Sequence, residues 1–391
     1  MDFSLNQYRA VWQVVLLWPR AFCKKVWAVF CSKNATNKKL GIIAKDRGFC
    51  YSFANIFESL AVMVMKMSVG IFAVLGVVIV AASLFTLYSK SKIEANWPKN
   101  GNPVAVMGVN ANVVEQGTGP DVLMVHGASS NQREMIASLG GHLEGMHLIA
   151  PDRAGMGYSG RPEGAERLGV QAAFMAAILD AKGVKNVVAV GHSWGSAVVL
   201  RLALDRPDLV KAVVVIAPAS HEWPGGTSKI NRIAATPIIG DIFSWTVPSI
   251  FGPNMMPAGI EEGFHPQRVA PNYRQLVGLD LVLRPETFHS NARDLKIGAQ
   301  ELAAQSRRYG ELKIPITVVA GQGDKIVYNT IHAAGLVRDI PQARSFTVPA
   351  AGHMPHWAKP DFVASVIRAY AVGGAYPNDA AIVGDGVLVV R

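Results

Sequence analysis

From Val122 onward the apolar residues gather in short runs rich in Val and Ile, bounded by Gly, Pro or Asp: Val122 to Val125, His147 to Ala150, Val187 to Val190, Val213 to Ile216 and Ile316 to Ala320. Between several of them lie longer stretches of helical character, such as Val170 to Ala181 and Ser196 to Leu204. Continuous apolar strands alternating with helices predict an α/β fold, a doubly wound and mostly parallel sheet covered on both faces. Binding sites in such sheets form at the carboxyl ends of the strands. The alternation breaks between Ala219 and Leu312, an interval rich in Pro, Gly and aromatics that returns to a clear strand only at Ile314. An insertion of about 90 residues is too long for a loop and predicts a helical cap over the strand ends.

Ahead of this pattern, Met67 to Tyr88 runs 22 residues without a charge. As a helix it is long enough to cross a hydrocarbon core of about 30 Å. The run exceeds the h-region of a signal peptide and shows no polar face, so one uncleaved transmembrane helix is expected. The alternatives are a signal peptide, with Ala81-Ala82-Ser83 offering small residues, and a buried core helix. The expected layout is a basic N-terminal extension (1–66), the span (67–88), a polar linker (89–101) and an α/β core in two parts (102–218 and 313–370). The cap (219–312) interrupts that core, and a tail (371–391) follows it. Met63, Met65 and Met67 stand at the door of the apolar run, and one of them is expected to be the natural start. A basic leader would keep the N-terminus cytoplasmic, whereas Lys90 and Lys92 pull the other way, so the side of the large domain stays open.

Charge changes the picture by where it lies. The net charge is +10, but residues 1–66 hold 10 Lys+Arg against 3 Asp+Glu, and the rest of the chain is only +3. A basic excess confined to the first sixth argues against a nucleic-acid enzyme. Cys23, Cys31 and Cys50 all lie there too, which excludes a disulfide, a zinc-thiolate site or a thiol nucleophile in the large domain. Its histidines form no pair at metal-ligand spacing with carboxylates, and no phosphate-cradling loop follows a strand, so neither metal nor organic cofactor is expected.

The chemistry gathers at the strand ends. Val187 to Ser196 reads as a strand, a Gly191-His192-Ser193-Trp194-Gly195 turn and the start of a helix, the context of a nucleophile elbow. Val122 to Ser130 ends in His126-Gly127 followed by small residues, which keep backbone N–H groups accessible to a developing oxyanion. The expected donors are Ala128 or Ser129, left undecided, together with Trp194. His126 is expected to stabilise its turn. A serine needs a base, and the base an orienting carboxylate. Asp324 closes the Gly-rich turn after the Ile316 strand, and His353 sits in a Gly-His loop before the final helix. The order Ser193, Asp324, His353 is the one this chemistry takes on doubly wound sheets. His356 competes for the base and Glu222 for the acid.

These motifs together resemble the α/β-hydrolase fold superfamily, and within it the capped, epoxide-hydrolase-like branch. His126-Gly127, Pro151-Asp152-Arg153-Ala154-Gly155-Met156-Gly157-Tyr158-Ser159, Gly191 to Gly195, Gly321-Gln322-Gly323-Asp324 and Gly352-His353 occur in order over residues 102–370. The resemblance implies that Asp152 and Arg153 shape the loop beside the active site. One departure is informative. Epoxide hydrolases and haloalkane dehalogenases of that branch carry Asp at the elbow, whereas here it is Ser193, which turns the expectation from epoxides and haloalkanes to a carbonyl.

The expected activity is therefore that of a membrane-anchored serine esterase on an apolar acyl substrate, with Ser193, Asp324 and His353 as triad and Met255 and Met256 among the cap residues. Two other readings follow from the same residues: a cofactor-free carbon–carbon bond hydrolase or haloperoxidase, which the resemblance allows, and a non-enzymatic membrane-tethered ligand sensor. Oligomeric state and the Gly- and Ala-rich tail, ending Val387-Leu388-Val389-Val390, carry no functional expectation.

Overall fold

The computed structural model describes residues 47–224, 226–373 and 388–390, with 47–80 and 81–391 forming two units. A single helix, α1 (Arg47–Asn96), carries the first unit and runs into the second. Its stretch Val62–Asn96 is long and apolar enough to cross a membrane, and side chains such as Val69, Phe72 and Val77 are exposed. The helix outlasts the expected span at both ends, so 89–96 are helical and not linker. Ser89 to Asn96 contains no Gly or Pro to stop it, and Lys90 and Glu94 face each other one turn apart. In the second unit these last turns are fixed by ion pairs: Lys90 with Glu286 at 2.6 Å and Glu94 with Arg284 at 3.0 Å. Residues 1–46, most of the expected basic extension, lie outside the described residues.

The second unit is built on nine strands among the described residues, in the order β1-β2-β4-β3-β5-β6-β7-β8-β9. These are β1 (Asn102–Val106), β2 (Val109–Gln116), β3 (Asp121–Val125), β4 (His147–Pro151), β5 (Val187–His192), β6 (Val210–Ile216), β7 (Ile316–Gly321), β8 (Arg344–Val348) and β9 (Leu388–Val390). From β4 to β8 all neighbours are parallel, while β1, β2 and β9 join antiparallel. The strand order reverses between β3 and β5, so their carboxyl ends diverge to leave a crevice.

Both faces of the sheet are covered, which is why its strands read as unbroken apolar runs. Val187 and Ala189 of β5 join one core with Phe174 and Leu179 of α3 (Leu168–Ala181) and Val199 and Leu202 of α4 (Trp194–Asp205). Val188 and Val190 join the other with Met135 and Leu139 of α2 (Gln132–Leu139) and with residues 363 and 367 of the helix after β8. At about 25 cal/mol per Å², each such fully buried side chain stabilises the fold by about 1.5–3 kcal/mol before entropy is counted.

Between β6 and β7 the chain leaves the sheet as six α-helices among the described residues: α5 (Lys229–Ala234), α6 (Ile239–Thr246), α7 (Pro248–Phe264), α8 (Tyr273–Leu276), α9 (Pro285–Lys296) and α10 (Gly298–Ser306). Helices therefore occupy the interval where the alternation breaks. After β7 follow α11 (His332–Asp339), then beyond β8 α12 (Pro355–Ala358) and α13 (Pro360–Val372). The tail that carried no expectation ends as β9, paired antiparallel with β8.

Candidate active site

Ser193 follows β5 with φ 51° and ψ −117°, a left-handed conformation that costs a non-glycine residue about 1–3 kcal/mol. The turn is held from three sides: Ser193 N–H donates to Ile216 O at 2.8 Å, Ala219 N–H donates to Ser193 O at 3.1 Å, and Ser196 Oγ donates to Gly191 O at 2.7 Å. The glycines are required by crowding. A Cβ on Gly195 would strike the carbonyls of Val125 and His126, and one on Gly191 would meet the Gly195 carbonyl. Trp194 opens α4, so its N–H is among the first four of a helix and has no intrahelical acceptor.

His353 and Asp324 are brought together by two loops at the ends of β7 and β8. His353 Nδ1 lies 2.8 Å from Asp324 Oδ2, while Asp324 Oδ1 accepts from Ile326 N–H (2.8 Å) and Val327 N–H (3.0 Å). Burial pushes the Asp324 carboxyl up, but the hydrogen bond to His353, its charge and the two amides outweigh it and hold the group below its ordinary range. His353 N–H donates to Gly263 O of α7 at 2.8 Å, pinning the loop to the cap. Gly352 is needed here for close approach rather than for mobility, because a Cβ would collide with the carbonyls of His265 and Phe264.

Ser193 and His353 open into one cavity of about 640 Å³ between core and cap. Its lining is mainly apolar: Phe243, Phe251, Met255, Met256, Leu283 and Phe288 from the cap, Trp194 and Met354 from the core. Ala128 and Ser129 line it as well. The Ser129 N–H, however, already donates to Asn291 Oδ1 at 2.7 Å, and Asn291 Nδ2 returns a bond to Ser129 Oγ at 3.0 Å. Of the two undecided amides, only that of Ala128 is not drawn to Asn291.

His126 is buried with its ring locked: Arg153 N–H donates to Nε2 at 2.9 Å, so Nδ1 carries the proton and donates to Gly127 O at 2.8 Å. Burial, with the Arg153 charge, lowers its pKa to about 3, and it stays a neutral turn residue. Asp152 accepts from Gln132 N–H, Tyr158 N–H and Asn112 Nδ2, tying three segments into the loop beside the site. Glu222 is exposed, and His356 is turned away onto Glu134, so neither competitor reaches the pair.

Several residues at the site carried no signal in the sequence. Asn291 and Asp294 belong to α9, where nothing distinguishes them from surface residues of a polar helix. His332 lines the cavity with its Nδ1 accepting from Ser220 N–H and His221 N–H, both at 3.1 Å, and burial lowers its pKa to about 4. Behind the elbow, Glu134, His192 and His356 form a buried group whose ligand-type atoms lie within 4.8 Å of one another. Glu134 Oε1 and His356 Nε2 are 2.6 Å apart, the length of a proton-bridged pair and shorter than the separation of about 3.3 Å between ligands around one zinc ion.

The comparisons with known proteins agree with this architecture. The family described as "alpha/beta hydrolase fold" matches residues 120–236. The 2-hydroxymuconate semialdehyde hydrolase of Pseudomonas sp. (strain CF600) is 29% identical over 136 residues, 33% of this chain and 47% of that protein. Lipase 1 of Psychrobacter immobilis is 26% identical over 247 residues, 61% of this chain and 72% of that protein. The chain thus spans about half the length of the first and about seven tenths of the second. Epoxide hydrolases are among the other relatives. The crystallised esterase EaEST from Exiguobacterium antarcticum shares the fold with a TM-score of 0.56 at 18% identity, covering 69% of this chain and 99% of that one.

Proposed function

Because the chain belongs to the α/β-hydrolase fold superfamily, we propose that it is a membrane-anchored serine hydrolase that cleaves carboxylic esters or related acyl compounds. One observation carries the reading: His353, paired with Asp324 at 2.8 Å, opens with a strained Ser193 onto one apolar cavity. In this mechanism Ser193 Oγ attacks the substrate carbonyl while its proton passes to His353 Nε2. Asp324 holds the Nδ1–H tautomer and balances the imidazolium. The oxyanion takes hydrogen bonds from the amides of Ala128 and Trp194, because that of Ser129 is held by Asn291. The tetrahedral adduct collapses to an acyl-enzyme as His353 returns the proton to the leaving group. Water, deprotonated by the same histidine, attacks the acyl carbon and releases the acid and Ser193.

The cavity's size and apolar cap lining suit a hydrophobic acyl or ring substrate. The apolar length of α1 supports anchoring. A second reading has its own support: a relative is named as a 2-hydroxymuconate semialdehyde hydrolase, so the same triad serving carbon–carbon bond hydrolysis is the alternative. The two separate in one assay on the full chain in detergent, with an ester chain-length series beside a ring-cleavage dienoate. Turnover of esters lost in Ser193→Ala supports the first, whereas turnover of the dienoate alone replaces it with the second.

A further inference from the structure

We infer that Glu134 is a positioning residue for His353, acting from behind the active site through His192, His356 and Trp357. This rests on the serine-hydrolase reading above, in which His353 is the base.

Glu134 is a carboxylate where helix pattern alone would place an apolar side chain. Glu134 lies on the inner face of α2 and has no solvent exposure. A buried charge is retained only where partners compensate it. Here His356 Nε2 (2.6 Å) and Trp357 Nε1 (2.9 Å) both donate to Oε1, and both belong to α12, which begins two residues after His353. Burial pushes the Glu134 carboxyl up, but the charge of His356 and the bonds from His356 and Trp357 bring it down to about 2. Glu134 thus grips the segment that leads out of His353.

The second grip is on His353 itself. His192 Nε2 lies 3.0 Å from His353 O, and a carbonyl can only accept, so Nε2 carries the proton. Burial lowers the His192 pKa to about 3, so the ring is neutral and Nδ1 is bare. It stands 3.8 Å from Glu134 Oε2, too far for a hydrogen bond. Neither atom has another hydrogen-bond partner among the described residues. His353 is therefore held by its N–H (Gly263 O), its C=O (His192) and the helix after it (Glu134), which leaves only the imidazole free to move protons.

The charge has a further consequence. The groups facing His353 are Asp324 from the turn after β7, with Lys325 exposed beside it, His332 from α11, and His192 from β5, whose ring centroid is 5.0 Å away. Behind His192 stand Glu134 and His356. When His353 takes the Ser193 proton, the carboxylate of Asp324 beside it and that of Glu134 behind His192 both favour the imidazolium.

The test is the rate at which a fluorophosphonate labels Ser193 in the full chain in detergent, measured against pH and probe concentration for wild type, Glu134→Gln and Glu134→Asp, with near-UV circular dichroism as the check on folding. Expected for Glu134→Gln is a maximal labelling rate lower by about tenfold to a hundredfold, little change in half-saturating probe, and an acid limb moved to lower pH. Glu134→Asp restores the limb. A folded Glu134→Gln protein within twofold of wild type at every pH overturns the inference. A second measurement needs no variant: nitrogen-15 spectra of the wild-type histidines are expected to show His192 neutral with its proton on Nε2. A proton on Nδ1, or stoichiometric zinc retained on these residues, overturns it whatever the labelling shows. Wild-type protein that does not label instead removes the serine-hydrolase reading, while the His192 tautomer still tests the geometry.

Discussion

The carboxylate of Asp294, on cap helix α9, lies 3.0 Å from the guanidinium of Arg153, on the loop after β4, and neither side chain is exposed to solvent. Asp294 also meets Arg161 at 2.8 Å, and Arg153 donates to Gln171. Burial lowers the Arg153 pKa and raises that of Asp294; Asp294 offsets the first, and Arg161 together with Arg153 offsets the second. Asp294→Ala would strand a buried guanidinium, and the expected cost is about 3–5 kcal/mol. Urea unfolding measures it. A loss under 1 kcal/mol would mean that the pair does not hold cap to core.

Asp324 and Glu222 separate cleanly. Asp324→Asn keeps the shape of the loop but favours the wrong tautomer of His353, and a fall in kcat of about 10⁴ is expected with the fold intact. Exposed Glu222→Gln is expected within twofold of wild type. A reversed pattern in steady-state kinetics would reassign the acid.

The elbow predicts a backbone effect. Gly195→Ala forces a Cβ into the Val125 and His126 carbonyls, neither of which can move without breaking the sheet, so a loss above about 3 kcal/mol is expected. Ala substituted at Gly141, whose Cβ would meet nothing, is the control. Equal melting temperatures for the two variants would refute the geometry.

Acid is expected to destabilise the fold early. His126 and His192 (about 3) and His332 (about 4) bind protons more weakly folded than unfolded, where the value is 6.5. Between pH 6.5 and 4 the unfolded chain therefore holds more protons, and stability falls as pH drops, by about 1.4 kcal/mol per pH unit for each group. Glu134 and Asp324, whose pKa values are lowered, lose their contribution below the ordinary carboxylate range, with the same sign. Asp152 and Asp294, raised by burial, oppose the trend. Chemical denaturation at pH 7 and pH 5 checks the net result, a lower midpoint at pH 5. Equal midpoints would contradict it.

How far the chain could be read from its letters depended on where the information lay. The five central strands were legible because burial on both faces leaves them few polar positions. β1 and β2 were not, since Asn110 and Asn112 interrupt the pattern, and Asn112 is admitted to the interior only by its bond to Asp152. β8 begins with exposed Arg344 and carries Ser345 and Thr347, too polar to stand out as a run. Ser193, Asp324 and His353 were legible because strained turns and close backbone approaches leave glycines in fixed places. Glu134, Asn291 and Asp294 act through pairings made only in three dimensions, and no local spacing marks them. The end of α1 was missed because Lys90 and Glu94, which read as a solvated linker, are held by Glu286 and Arg284 about 190 residues away.

The most direct measurement is fluorophosphonate labelling of the full chain in detergent, wild type beside Ser193→Ala, followed by mass mapping of the adduct. The account predicts one adduct on Ser193, absent from the variant together with ester turnover. A folded wild type that neither labels nor hydrolyses an ester, or that labels equally after Ser193→Ala, would contradict it.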